Sequence, residues 1–256
     1  MSTKTKTSKS CLIILPYSIL FFVAVLYIIG TPIGNLGDLS LRAAEILRKA
    51  DLVACEDTRQ TLKILNHLGI KAKMLSCRAQ NEESSARKII ALLDEGKTVA
   101  YASDAGTPAL SDPGSALARK AAEAGHEVIP IPGPSAFAAL LSVSGAYDKS
   151  VVFEGFLSPK GGRRRTRLKE LLETGFGFIL FESPFRVLKL FEDLADLDNS
   201  RYVCVGREMT KLHEEYLRGS VTEICEILRK KAEKSEIRGE FSVFISGKKS
   251  NYRVNY

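Results

Sequence analysis

From Val25 onward the chain alternates short apolar, β-rich runs with helical segments, and this alternation most constrains its fold. VLYII, DLVAC, a short run closed by Leu75, TVAYA and EVIPI read as strands. Between and after them, Leu39 to Lys49, Arg59 to Leu68, Asn81 to Glu95, Pro113 to Ala124 and Ser135 to Ser144 read as helices. Gly69, Gly96, Gly125 and Gly145 stand where these helices stop, and glycine readily takes the left-handed turn that closes a helix. Asp38 and Asp112 read as helix caps. Repeated strand–helix–strand units require parallel strands joined by crossovers. The expectation is an α/β fold whose first sheet is mostly parallel, with helices on both faces.

A second series follows a linker at Gly145 to Lys149. SVVFEGF, GFILF, RYVCVGRE, HEEYLRG and EFSVFIS read as strands, and Arg163 to Glu173, Phe185 to Ala195 and Val221 to Lys234 as helices. Two strands in succession predict some antiparallel pairing, hence a mixed second sheet. The expected organisation is an N-terminal extension over 1–24, an α/β domain over 25–146, a second α/β domain over 150–247 and a polar tail over 248–256.

Residues 11–29 are almost wholly apolar and follow a basic, polar stretch. Alone, that pattern reads as a signal peptide or membrane anchor. Pro16 and Ser18 interrupt it, and its last part, Val25 to Ile29, is needed as the first strand. A strand inside a sheet does not also sit in a bilayer. Residues 1–24 are therefore read as an extension outside the fold, with Val25 a candidate start and no stable membrane association expected; the competing reading is an anchor.

Lys4, Lys6 and Lys9 supply three of the net +7 charges, so the fold itself is mildly basic. That suits an RNA-binding enzyme without requiring one. The five cysteines, Cys11, Cys55, Cys77, Cys204 and Cys225, form no CxxC pair and are odd in number. A reducing, cytoplasmic compartment is expected rather than a disulfide framework. His213 opens HEEYL, which is not the HExxH zinc signature, so no metal is expected. TPIGNLGD lacks the GxGxxG fingerprint, and Gly96-Lys97-Thr98 has Ala91 where a P-loop demands glycine, which argues against dinucleotide binding and NTP hydrolysis.

The unusual residues fall after the strands. GTPIGNLGD follows the first, CEDTR the second, SDAGTPALSDPG the TVAYA strand and PGPSA the EVIPI strand. EGFLSPKGGRRR, ESPFR and GREMTK follow strands of the second series. Loops beyond the carboxyl ends of an open α/β sheet form its ligand face, so these turns predict one cleft between two lobes. The basic run Lys160, Arg163, Arg164, Arg165, Arg167 and Lys169 begins at two glycines expected to be flexible. Its place on the proposed rim suits phosphate contact, although such runs are often only a solvated helix face.

At these motifs the chain resembles the tetrapyrrole methylase-like (class III) methyltransferases, in the branch acting on ribosomal RNA of the small subunit. The stretches that carry the resemblance are GTPIGNLGD, ACEDTR, KILNHLGI, SDAGTPALSDPG, PGPSA, EGFLSPKGGRRR, ESP, GREMTKLHEEYLRG and RGEF, which together span Val25 to about Gly247. The resemblance implies S-adenosyl-L-methionine as methyl donor, 2′-O-methylation of a cytidine ribose in 16S rRNA, and a homodimer. It implies a donor pocket lined by Pro32, Gly34, Asp38, Asp104, Ala105, Gly106, Thr107, Ser135 and Ala136, and RNA contacts from Lys160, Arg163, Arg164 and Arg165. The sequence departs from the branch at Phe185, Arg78 and Gln80, where histidines are expected, and at Ser158, where proline is expected.

A ribose hydroxyl is a poor nucleophile at neutral pH, so a positioned proton acceptor helps it. Glu56, Asp57 and Lys211 are the candidates, with Arg59 placed to hold phosphate or polarise the oxygen. The competing functions are a tetrapyrrole methylase of the same fold and a non-catalytic RNA-binding assembly protein.

Overall fold

The computed structural model describes residues 24–78, 80–109, 114–145 and 148–248. Its first sheet holds β1 (Val25–Ile29), β2 (Leu52–Cys55), β3 (Met74–Ser76), β4 (Val99–Ala102) and β5 (Glu127–Ile131) in the order β3-β2-β4-β1-β5. Every pairing in it is parallel. Helices α1 (Leu41–Lys49), α2 (Thr58–His67), α3 (Glu82–Asp94) and α4 (Ser115–Glu123) make the crossovers. The two-residue period of a strand assigns the faces. Val25, Tyr27 and Ile29 of β1 pack with Leu47 of α1 and Ile64 and Leu65 of α2. Leu26, on the other face, packs with Ile89 and Leu93 of α3 and Leu117 of α4.

The second sheet holds β6 (Val151–Phe156), β7 (Gly177–Glu182), β8 (Tyr202–Arg207), β9 (Glu215–Ser220) and β10 (Phe241–Ile245) in the order β6-β7-β10-β8-β9. β6 and β7 are parallel and the remaining pairs antiparallel. This is the mixed sheet expected. Helices α6 (Gly161–Thr174), α7 (Val187–Leu197) and α8 (Val221–Glu233) cover one face through Leu168, Leu190, Phe191 and Leu228. The turn from β9 into α8 is a capping box, in which Ser220 and Glu223 satisfy each other's backbone N–H groups.

Helix α5 (Ala136–Val143) does not pack as the sequence grouping suggests. It follows the first series, yet its Leu140 is buried against Ile179, Cys204 and Phe244 on the open face of the second sheet. The Tyr202 hydroxyl donates to Ser144 O at 2.7 Å and the Arg218 guanidinium to Val143 O at 2.9 Å, which fixes the helix end there.

Two local expectations are corrected. Ser40, not Asp38, caps α1, its hydroxyl accepting from Ala43 N at 3.1 Å, while Asp38 ends a short 3-10 helix, Leu36–Asp38. Gly161 and Gly162 are the first turn of α6 rather than a flexible lead. Asp112 and Cys11 lie outside the described residues, as does the extension up to residue 23. Cys55, Cys77, Cys204 and Cys225 are buried thiols. Among the described residues no helix is long and apolar enough to cross a membrane, and no His/Cys/Asp/Glu group could hold a metal ion.

Candidate active site

The turns after β1, β2, β4 and β5 are stitched into one surface by main-chain contacts. Gly30 and Gly133 approach so closely that a Cβ on Gly30 would lie 2.8 Å from the Gly133 Cα. Thr31 and Gly106 form an isolated bridge, and the Thr31 hydroxyl donates to Ser103 O at 3.1 Å. Ser103 donates to Gly106 O at 2.9 Å, and Thr107 donates to Pro134 O at 3.2 Å. Asp57 N donates to Asp104 Oδ1 at 2.9 Å, which ties the β2 turn to the β4 turn.

The second sheet answers with the turn after β8. A Cβ on Gly34 would lie 2.5 Å from Lys211 Cγ and 2.7 Å from Thr210 Oγ1. In this turn Glu208 and Thr210 adopt left-handed backbone, with φ of 49° and 66°. Such a conformation is costly for a β-branched residue and concentrates at functional sites. The Thr210 hydroxyl is buried without a hydrogen-bond partner among the described residues.

Between the two surfaces lies a cleft of about 370 Å³, within the size range of small-molecule sites. Ile33, Ala105 and Ala136 line it from the first series of loops, and Phe156, Phe181, Glu182, Gly206 and Met209 from the second sheet. Phe156 packs edge-on against Phe181 at 5.8 Å between centroids. Glu182 is buried, its Oε1 accepting from Ser183 N and from the Arg186 guanidinium, both at 2.7 Å.

The expected donor-pocket residues therefore divide. Ala105 and Ala136 line the cleft. Asp104, Gly106 and Thr107 hold the Ala105 turn through the bonds above, and Ser135 immediately precedes Ala136. From the first turn it is Ile33 that faces the cleft; Pro32 is buried, Gly34 meets Lys211, and Asp38 is exposed on its 3-10 helix. Phe156, Phe181, Glu182 and Met209 also line the cleft, and all but Phe181 lie in the motifs EGFLSPKGGRRR, ESPFR and GREMTK, so those motifs were the signal for them. Phe181 offered no signal, being one more apolar residue of a strand.

The proton-acceptor candidates differ sharply in state. Asp57 caps α2, accepting from Arg59 N at 2.9 Å, and its carboxylate is gripped by the Arg59 guanidinium, with Nε at 3.0 Å from Oδ1. Those hydrogen bonds hold its carboxyl far below the usual range, so Asp57 is a poor base. Arg59 is exposed beyond it. Lys211 donates to Glu208 Oε1 at 2.9 Å and Glu240 Oε2 at 3.0 Å. Partial burial opposes its charge, but the two carboxylates outweigh it and raise the ammonium's pKa. Both bonds favour the ammonium over the free amine, which weakens Lys211 as a base. Glu56 has no such cation clamped to it among the described residues. Burial first, then the Asp104 carboxylate, raises its pKa against the partial opposition of Arg78.

The basic run is largely neutralised within the fold. Arg164 is only 4% exposed and binds Asp193 through Nε at 2.7 Å, so it faces the interior and not RNA. Arg165 pairs with Asp193 and Asp196, and Arg167 with Glu154 and Glu170. Lys160 and Arg163 remain exposed at the start of α6.

Residues 25–225 match the family described as tetrapyrrole (corrin/porphyrin) methylases. A Borrelia garinii subsp. bavariensis protein named ribosomal RNA small subunit methyltransferase I is 44% identical over 222 residues, covering 87% of this chain and 98% of that one. A Thermotoga maritima protein of the same name is 44% identical over 223 residues, with the same two coverages, 87% and 98%. Among solved structures, a uroporphyrin-III-C-methyltransferase from Thermus thermophilus superposes with TM-score 0.60 at 17% identity over 87% of this chain and 94% of its own. A cobalt precorrin-4 methyltransferase superposes with TM-score 0.62 at 19% identity over the same shares, 87% and 94%. The two structural likenesses speak to the fold.

Proposed function

The chain belongs to the tetrapyrrole (corrin/porphyrin) methylase family, and from that premise we propose that it transfers a methyl group from S-adenosylmethionine to ribosomal RNA of the small subunit, at the 2′-hydroxyl of a cytidine. The observation that carries this reading is the 44% identity spanning 98% of proteins named for that substrate.

The cleft suits the donor. It offers the face and edge of Phe156 and Phe181 to a flat base, the small side chains of Ala105 and Ala136 for close backbone approach, and the buried Glu182 carboxylate on one wall. When bound, the donor supplies an electrophilic methyl group on a sulfonium. The chain's own contribution is chiefly alignment, which alone removes a large part of a bimolecular barrier. The stitched turns hold one wall and the strained β8 turn holds the other, so the nucleophile enters a site whose geometry is already set. Glu56, its turn tied through Asp57 N to Asp104 beside the cleft, is the proposed acceptor of the ribose proton, because a raised pKa brings a carboxylate closer to that of a useful base. The exposed Arg59 is proposed to meet backbone phosphate at the mouth.

The test compares small subunits from a strain lacking the gene with those from the same strain carrying it. Ribonuclease digestion and mass spectrometry of the 16S rRNA should show one ribose methylation that returns with the gene. Transfer to a porphyrinoid and not to undermethylated subunits would overturn the reading. Homodimerisation is part of the same proposal, and light scattering of the purified chain reads it directly.

A further inference from the structure

We propose that the groove beside the cleft, between the start of α7 and the end of α8, is an RNA-tracking surface on which Phe185 stacks an unpaired base neighbouring the target nucleotide. This rests on the reading of RNA as substrate. Phe185 lies in the turn after β7 and is 94% exposed. A single exposed phenylalanine is ordinary; its surroundings are what give this one a role.

Pro184 lines both the cleft and a groove of about 610 Å³ whose wall includes Phe185, Leu188, Ile237 and Arg238. That groove shares Ser235, Arg238 and Gly239 with a second depression, of about 470 Å³, containing His213, Lys231 and Lys234. A continuous track thus leaves the cleft at Pro184, passes an aromatic face and enters a cationic trough. Arg207 and Lys231, both in the trough, are bound to Glu215 at 2.8 Å. Lys234 and Arg238 are exposed, and neither side chain has an ion pair among the described residues. Of the carboxylates lining the trough, Glu208 is held by Lys211 and Glu236 is exposed.

This order matches the chemistry of a single strand, whose bases present π-faces and whose backbone presents one charge per nucleotide. It also contrasts with α6, where Arg164, Arg165 and Arg167 are consumed by the fold's own acids.

The experiment uses the full chain and three variants: Phe185→Ala, Phe185→Tyr, and the double variant Lys234→Glu/Arg238→Glu. Steady-state methylation of undermethylated small subunits gives KM and kcat, anisotropy of a labelled single-stranded RNA gives Kd against salt, and calorimetry gives donor affinity. Loss of one stacked base should raise KM for RNA by at least about fivefold in Phe185→Ala. Donor affinity and melting temperature should stay unchanged, and Phe185→Tyr should restore the wild-type KM. The double variant should weaken RNA binding and flatten its salt dependence. Wild-type methylation with KM and RNA affinity unaltered in both Phe185→Ala and the double variant would overturn the groove. A wild-type chain that neither binds nor methylates RNA would instead overturn the functional reading, and the groove with it.

Discussion

The backbone of Gly34 lies directly against the side chain of Lys211, so the first turn of the parallel sheet and the strained turn after β8 meet with no room for a methyl group between them. Lys211 Cγ, near the root of its side chain, and the buried Thr210 Oγ1 are the atoms a Cβ would strike, and neither moves easily. Gly34→Val should therefore push the two walls of the cleft apart. Overpacking of this kind costs about 1–3 kcal/mol, or roughly 5- to 150-fold in donor affinity if it falls on the closed cleft. Calorimetry with S-adenosylmethionine reads it, and unchanged affinity would mean the junction does not shape the site.

Much of this arrangement is legible in the sequence. Strands buried on both faces are continuous apolar runs, as in β4 and β10, and glycine marks the helix ends, so the strand–helix order and the gathering of the turns follow from pattern. Arg164 belongs to a run of charges, but its helical period sets it with the core. Leu168, Leu171 and Leu172 stand four, seven and eight residues after it, which puts Arg164 on the buried stripe of α6. The packing of α5 had no comparable signal: AFAALLSV is apolar on nearly every side, so no stripe says which sheet it covers. The left-handed backbone at Glu208 and Thr210 was equally silent, since neither residue type announces that conformation.

Arg164 and Asp193 form a buried pair, with side chains 5% and 3% exposed. Removing one partner strands a charge in the interior, which typically costs about 3–5 kcal/mol. Asp193→Ala should lower the unfolding free energy read from urea titration by that amount and leave the RNA affinity of the folded fraction intact. A loss of RNA affinity without a loss of stability would return Arg164 to the binding surface.

Lys211 is held as an ammonium by Glu208 and Glu240. Arginine keeps the charge and both acceptors but does not deprotonate in a protein. Lys211→Arg should thus keep its methylation rate within about an order of magnitude, against the roughly 10²–10⁴-fold that loss of a general base costs. A fall of the larger size, with donor affinity intact, would restore Lys211 as the base.

Glu56 yields a prediction with two separable readouts. Burial and the Asp104 carboxylate raise its pKa above the ordinary 4.5. A group whose folded pKa is raised adds stability that is complete below its unfolded pKa and is lost as pH climbs through the folded one. Ionised Glu56 therefore weakens the fold near neutrality, and Glu56→Gln removes that penalty. The melting temperature of the variant should gain on the wild type as pH rises through the ordinary carboxylate range, and the two should converge at the acid end. If the same carboxylate accepts the ribose proton, the variant should also lose roughly 10²–10⁴-fold in methylation while binding the donor unchanged. A stability gain with full methylation would leave Glu56 as a strained carboxylate of the cleft's edge and remove it from the chemistry.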